Sequence, residues 1–124
     1  MAYDENLRKY TMPANADLSA SQYQMVSVNS SGNVALTGDG ARADGILYNK
    51  PAAAGRGAEL AGPGSIAKLK FGESIAIGVE FAADSTGRAV AVATNDEPCG
   101  VVLANPGSTN GIGTVLFNPM MQTT

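Results

Sequence analysis

The sequence predicts an all-β fold: a compact β-barrel or β-sandwich of about eight short strands, built from two similar β units and preceded by an extended N-terminal arm. Three observations predict it. No segment keeps the 3.6-residue apolar spacing of a helix over a helical length, whereas several runs alternate with a period of two. Clusters of Gly, Asn, Asp, Ser and Pro recur at short intervals, the punctuation of a barrel or sandwich. Finally, the stretch from Ser30 to Pro51, SSGNVALTGDGARADGILYNKP, has a counterpart from Ser85 to Pro106, STGRAVAVATNDEPCGVVLANP. Gly32 and Gly87, Gly45 and Gly100, and Pro51 and Pro106 each stand 55 residues apart. Only 4 of 22 positions are identical, so the shared order of turn, apolar run, polar loop and Gly-led apolar run carries the comparison.

Residues 1–20 read as the arm. Asp4, Glu5, Arg8 and Lys9 crowd one short segment, Pro13 stops any helix begun before it, and MPANADLSAS has neither period. Ordering such a segment costs about 1–2 kcal/mol per residue in backbone entropy. Its few apolar groups offset that only against a partner, so Tyr3, Leu7, Tyr10, Met12 and Pro13 are the candidate partner-binding residues. On this reading, deleting residues 1–18 leaves the fold intact. The body spans 21–118. Strands are expected at Gln22–Val28, Val34–Leu36, Gly45–Asn49 (apolar throughout, hence central), Ala58–Ala61, Ala67–Phe71, Ala89–Ala93, Gly100–Ala104 and Gly113–Phe117. Ile75 to Phe81, where Ile75, Ile77, Val79 and Phe81 alternate with smaller or polar residues, gives the clearest strand signal. Residues 119–124 form a C-terminal tail.

Composition narrows the function. A chain of 124 residues suits one domain and buries a core without disulfides. There is no Trp and there are only 3 Phe, so small side chains must fill that core. The net charge is −3 and the eight cations are scattered, which argues against a nucleic-acid partner. No run of about 18 apolar residues is present, so no membrane span is expected. The opening MAYDENLRKYTMP lacks the apolar stretch of a secretory signal. The lone Cys99 excludes an intrachain disulfide and suits a reducing compartment.

The chemistry of a catalytic site is missing. With no His, the Ser-His-Asp and Cys-His systems and the usual zinc sites fall away. Cys99, without such a partner and beside an apolar strand, reads as a small buried hydrophobe. Asp39, Asp44, Asp84, Asp96 and Glu97 all fall at expected turns, where carboxylates hold backbone amides better than they serve as a glycosidase pair. Gly55-Arg56-Gly57 lacks the Lys-Ser/Thr ending of a phosphate loop. The turns at Asp39 and Asp84 fall short of the roughly six to eight oxygens that calcium takes. No catalytic residue, metal or cofactor is expected.

The order Gly45-Ile-Leu-Tyr, a Gly-rich loop, Ile75 to Phe81, Asp84-Ser-Thr-Gly87-Arg, Gly100-Val-Val-Leu and a final Gly113-Thr-Val-Leu resembles the capsid decoration, or cement, proteins of tailed bacteriophages. The segment Met12-Pro13-Ala14-Asn15-Ala16-Asp17 is similar to the arm some of them carry. The resemblance spans most of the chain and brings no catalytic motif. It implies a β-rich body, usually a homotrimer, made in the host cytoplasm and placed on the capsid exterior of the virion, where it clamps neighbouring major capsid protein subunits. The alternative is a non-catalytic ligand- or receptor-binding β module of a virion, disfavoured by the shortage of aromatics for a lined concave site.

Overall fold

A computed structural model describes residues 2–119; the expected tail, from Met120 onward, lies outside them. Among the described residues, ten strands form two five-stranded sheets in which every neighbouring pair is antiparallel. The strands are β1 (Lys9–Pro13), β2 (Met25–Val28), β3 (Val34–Leu36), β4 (Gly45–Leu47) and β5 (Gly57–Ala61) in the first sheet, ordered β1-β5-β4-β2-β3. The second holds β6 (Ser65–Lys70), β7 (Glu80–Ala83), β8 (Ala89–Ala91), β9 (Gly100–Ala104) and β10 (Ile112–Phe117), ordered β6-β10-β9-β7-β8. The apolar run at Gly45 occupies the centre of its sheet, as expected for residues covered on both faces.

The second sheet repeats the first. Adding five to each strand number converts one order into the other. The pairing registers repeat as well: Val26 opposite Leu36 corresponds to Phe81 opposite Ala91, Met25 opposite Ile46 to Glu80 opposite Val101, and Leu47 opposite Leu60 to Val102 opposite Val115. All of these keep the 55-residue offset. The first strand of each unit fits at 57, with Tyr10 opposite Leu60 and Ala67 opposite Val115. Backbone conformation follows: Tyr23 and Gly78, Gly32 and Gly87, Gly40 and Asn95, and Gly55 and Asn110 are pairs of positive φ at the same offset. Even the hairpin turns are alike. The Asn29 side-chain oxygen accepts the amides of Ser31 and Asn33, and the Asp84 carboxylate accepts those of Thr86 and Arg88. The duplication therefore covers nearly the whole chain, well beyond the stretch in which the sequence displays it.

Two expectations are corrected. Residues 1–20 do not leave the body as an extended arm. Residues 9–13 are β1, an edge strand on β5, and Glu5 bridges Ile66 of the second unit. Ala14 and Leu18 are buried, and Tyr10 and Met12 pack on the same cluster as Leu47 and Leu60. The entropy cost is met within the chain, because β5 supplies backbone partners and a long-range apolar cluster that local composition does not reveal. The strand expected from Ile75 to Phe81 is also displaced. It begins only at Glu80, since Gly78 turns the chain with φ +87°. Alternation fails with it: Ile75 is buried, whereas Ile77 is 69% exposed.

Strand pleating sends alternate residues of the first sheet to opposite sides. Val26, Leu47 and Leu60 join Ala14, Leu18, Val34 and Ala58 in a cluster internal to the first unit. Met25, Ile46 and Ala61, with Ala43, instead join Phe71, Phe81, Val102, Val115 and Phe117 of the second unit. This second cluster glues the two sheets into one sandwich.

Deleting residues 2–14 removes β1, with its half-buried Tyr10 and Met12, and the buried Ala14. The expected loss is on the order of 5 kcal/mol, a large share of a small domain's stability, read as a lower and less cooperative thermal transition. The Asp84 turn makes a second prediction. Burial raises the Asp84 pKa, but the amides of Arg88 and Thr86 and the Arg88 guanidinium 2.8 Å away outweigh it and hold the carboxyl below its ordinary value. A depressed folded pKa gives stability that is present above the unfolded value and is lost as pH falls through the folded one. Asp84→Asn reproduces the uncharged turn at Asn29, so its deficit in denaturant midpoint against the native chain should be present at neutral pH and shrink on acidification below about pH 4.

Candidate partner-binding site

The five residues expected to face a partner fall into two groups. Tyr10, Met12 and Leu7 pack inward, the first two on the cluster of the first unit and Leu7 on the inter-sheet cluster. The Tyr10 hydroxyl donates to the Asp44 carbonyl at 2.7 Å. Burial, with the Asp44 carboxylate nearby, pushes its pKa up. Tyr3 and Pro13 remain at the surface, Tyr3 being 40% exposed. Tyr3 is nonetheless fixed through its main chain, whose amide donates to Thr114 Oγ1 and whose carbonyl accepts from that hydroxyl. Of the five, Tyr3 and Pro13 are the exposed side chains, and Leu7, Tyr10 and Met12 are half-buried.

Tyr48 ties the N-terminal segment to both units. Its hydroxyl accepts the Lys68 amide at 2.7 Å and donates to Asp4 at 3.2 Å. Tyr23 meets its ring edge-on at 5.2 Å, and the Lys9 ammonium sits 5.4 Å from the ring centre. Desolvation raises its pKa well above the ordinary tyrosine value.

The surface offers contact area in preference to reactive groups. Asp44, Asp84 and Asp96 accept backbone amides, as turn residues do. Cys99 is fully buried, and burial pushes its thiol pKa up. Among the described residues no cluster of three or more His, Cys, Asp or Glu could hold a metal ion. An open cleft of about 290 Å³ between the units is lined by Tyr23, Lys50, Lys70 and Ile112 among others, without a carboxylate. A smaller, more enclosed depression of about 90 Å³ on the second sheet is lined by Glu80, Pro98, Gly100, Val101, Leu116 and Asn118. Outside this lining, Ile77, Val79 and Val92 are exposed. Sequence reading missed these three as surface residues because their alternation read as a half-buried strand.

The fold has a known counterpart. It superposes on the crystal structure of the head fibre gp8.5 N base of bacteriophage phi29 with a TM-score of 0.63, covering 94% of this chain and 100% of that one. Sequence identity is 12%, so the likeness is one of fold. No protein-family model and no curated protein matches the sequence.

Tyr48→Phe keeps the ring packing and deletes the acceptor of the Lys68 amide. It should cost about 1–3 kcal/mol, the penalty for a part-buried donor left unsatisfied, measured by chemical denaturation. Amide exchange at Lys68 should accelerate in parallel.

Proposed function

We propose that the chain is a structural protein of a tailed-phage virion that binds the capsid exterior and joins neighbouring major capsid protein subunits, acting as a homotrimer. The observation that carries this is the fold shared with the base of a phage head fibre over nearly the full length of both chains. The resemblance of the turn order to decoration proteins supports the same reading from the sequence. The surface is compatible with it, because it presents apolar side chains and turns and keeps the carboxylates of Asp44, Asp84 and Asp96 occupied with backbone amides. Such a protein needs no reaction chemistry. Many modest contacts per shell sum through effective concentration once one of them has formed. The N-terminal segment contributes through Tyr3 and Pro13, while Leu7, Tyr10 and Met12 shape the body that presents them.

The test is co-sedimentation with phage heads that lack this protein, followed by electron microscopy of the pelleted particles. Saturable pelleting and ordered extra density at lattice positions are expected, with Tyr3→Ala weakening the binding. A protein that stays in the supernatant at saturating concentration, or that binds a glycan array while ignoring the shells, defeats the proposal.

A further inference from the structure

The two units meet head to tail, and the contact is used only once within the chain. On the first unit the contact face comprises Met25, Ala43, Ile46 and Ala61, all buried against the second unit's cluster. Its edge is set by the main chain: the Met25 amide donates to the Gly87 carbonyl at 2.7 Å, and a Cβ on Gly87 would lie 2.4 Å from the Met25 carbonyl oxygen. Gln24, beside it, donates through its side chain to the Thr86 carbonyl. The 84–87 turn of the second unit thus presses on the first unit's face.

The same face exists on the second unit, uncovered by the described residues. At the 55-residue offset, Met25, Ala43, Ile46 and Ala61 become Glu80, Pro98, Val101 and Leu116. These four line the 90 Å³ depression on the outside of the second sheet. Gln24 and Thr37, buried at 6% and 1%, become Val79 and Val92, exposed at 43% and 36%. The turn that would cover such a face is also open. Gly32 is the counterpart of Gly87 with φ +81° against +78°, and nothing lies within 4 Å of the place its Cβ would take. Ser30 and Ser31 beside it are exposed, and Val28, counterpart of the fully buried Ala83, is 37% exposed. Val28, Ile77, Val79 and Val92 are four of the five large exposed hydrophobics among the described residues, and all lie on this turn end or this face.

We infer that the occupant of the second unit's open face is a second copy of this chain, which seats its Asn29–Asn33 turn there as the 84–88 turn seats on the first unit. The main-chain contact carries over directly, with the Glu80 amide donating to the partner's Gly32 carbonyl. The interface is heterologous: each chain gives a turn and receives one, so closure into a ring or growth of a string follows from the rotation between copies. This inference concerns chain-to-chain contact alone and does not depend on the virion reading.

Two single variants and their mixture test it. Gly32→Asn leaves the monomer sound, since Asn tolerates positive φ and the space is empty, but places a Cβ where docking brings the Glu80 main chain. Val101→Glu puts a charge in the centre of the receiving face. Sedimentation velocity of the full chain over a concentration series should show reversible self-association, weakened roughly tenfold or more by either variant, with unchanged far-ultraviolet dichroism and melting. Mixing the two should restore association and stop it at dimers, because one good turn meets one good face. A full chain that stays monomeric throughout, variants that associate like the native chain, or a mixture that is not restored overturns the inference. So does a chain ending at Pro119 that associates while the full chain does not, because the occupant is then the chain's own terminus.

Discussion

The seam between the two units depends on one close approach, the Gly87 turn laid against the main chain of Met25. A side chain on Gly87 would have to occupy the space of the Met25 carbonyl, so that position takes none. The approach brings Met25, Ile46 and Ala61 within reach of Phe71, Phe81 and Phe117 and so creates the larger core. It also explains why two units with the same registers do not sit in equivalent surroundings. A two-fold arrangement would have covered both copies of the face, whereas this one covers one copy and exposes the other.

Side-chain size follows from that asymmetry. The first unit's cluster is nearly self-contained and is filled by Val26, Val34, Leu47 and Leu60, with Ala14 at its edge. The second unit's cluster must also reach the other sheet. Where the first unit has Val26 and Ala14, the second has Phe81 and Phe71. All three phenylalanines of the chain are in this one cluster, fully buried. A chain with no Trp thus spends its bulk in the cluster that joins the two sheets.

For function, the division matters more than any single group. The carboxylates of Asp44, Asp84 and Asp96 are engaged with amides, the one thiol is buried, and the phenol of Tyr48 is committed to a strand and a segment end. What remains available is the apolar area of Ile77, Val79 and Val92 and the exposed turn at Ser30 and Ser31. The fold that presents them is shared with a phage head-fibre base.

The residues by themselves determined the β class, most strand positions, the central place of the Gly45 run and the existence of a repeat. Each rests on local signals: a period of two, turn chemistry and a fixed spacing of Gly32 and Gly87 or Gly45 and Gly100. The full reach of the repeat stayed hidden because register is written in backbone pairing, which Met25 and Glu80 share despite opposite chemistry. Two decisions belonged to tertiary structure alone. Residues 9–13 became a strand because β5, more than forty positions away, supplied their partners, and no local window contains that information. Ile77 and Val79 went to the surface because a positive φ at Gly78 broke the pleat that their alternation implied. Whether an apolar residue is core or contact surface depends on what is packed above it, and only the arrangement of the two units sets that.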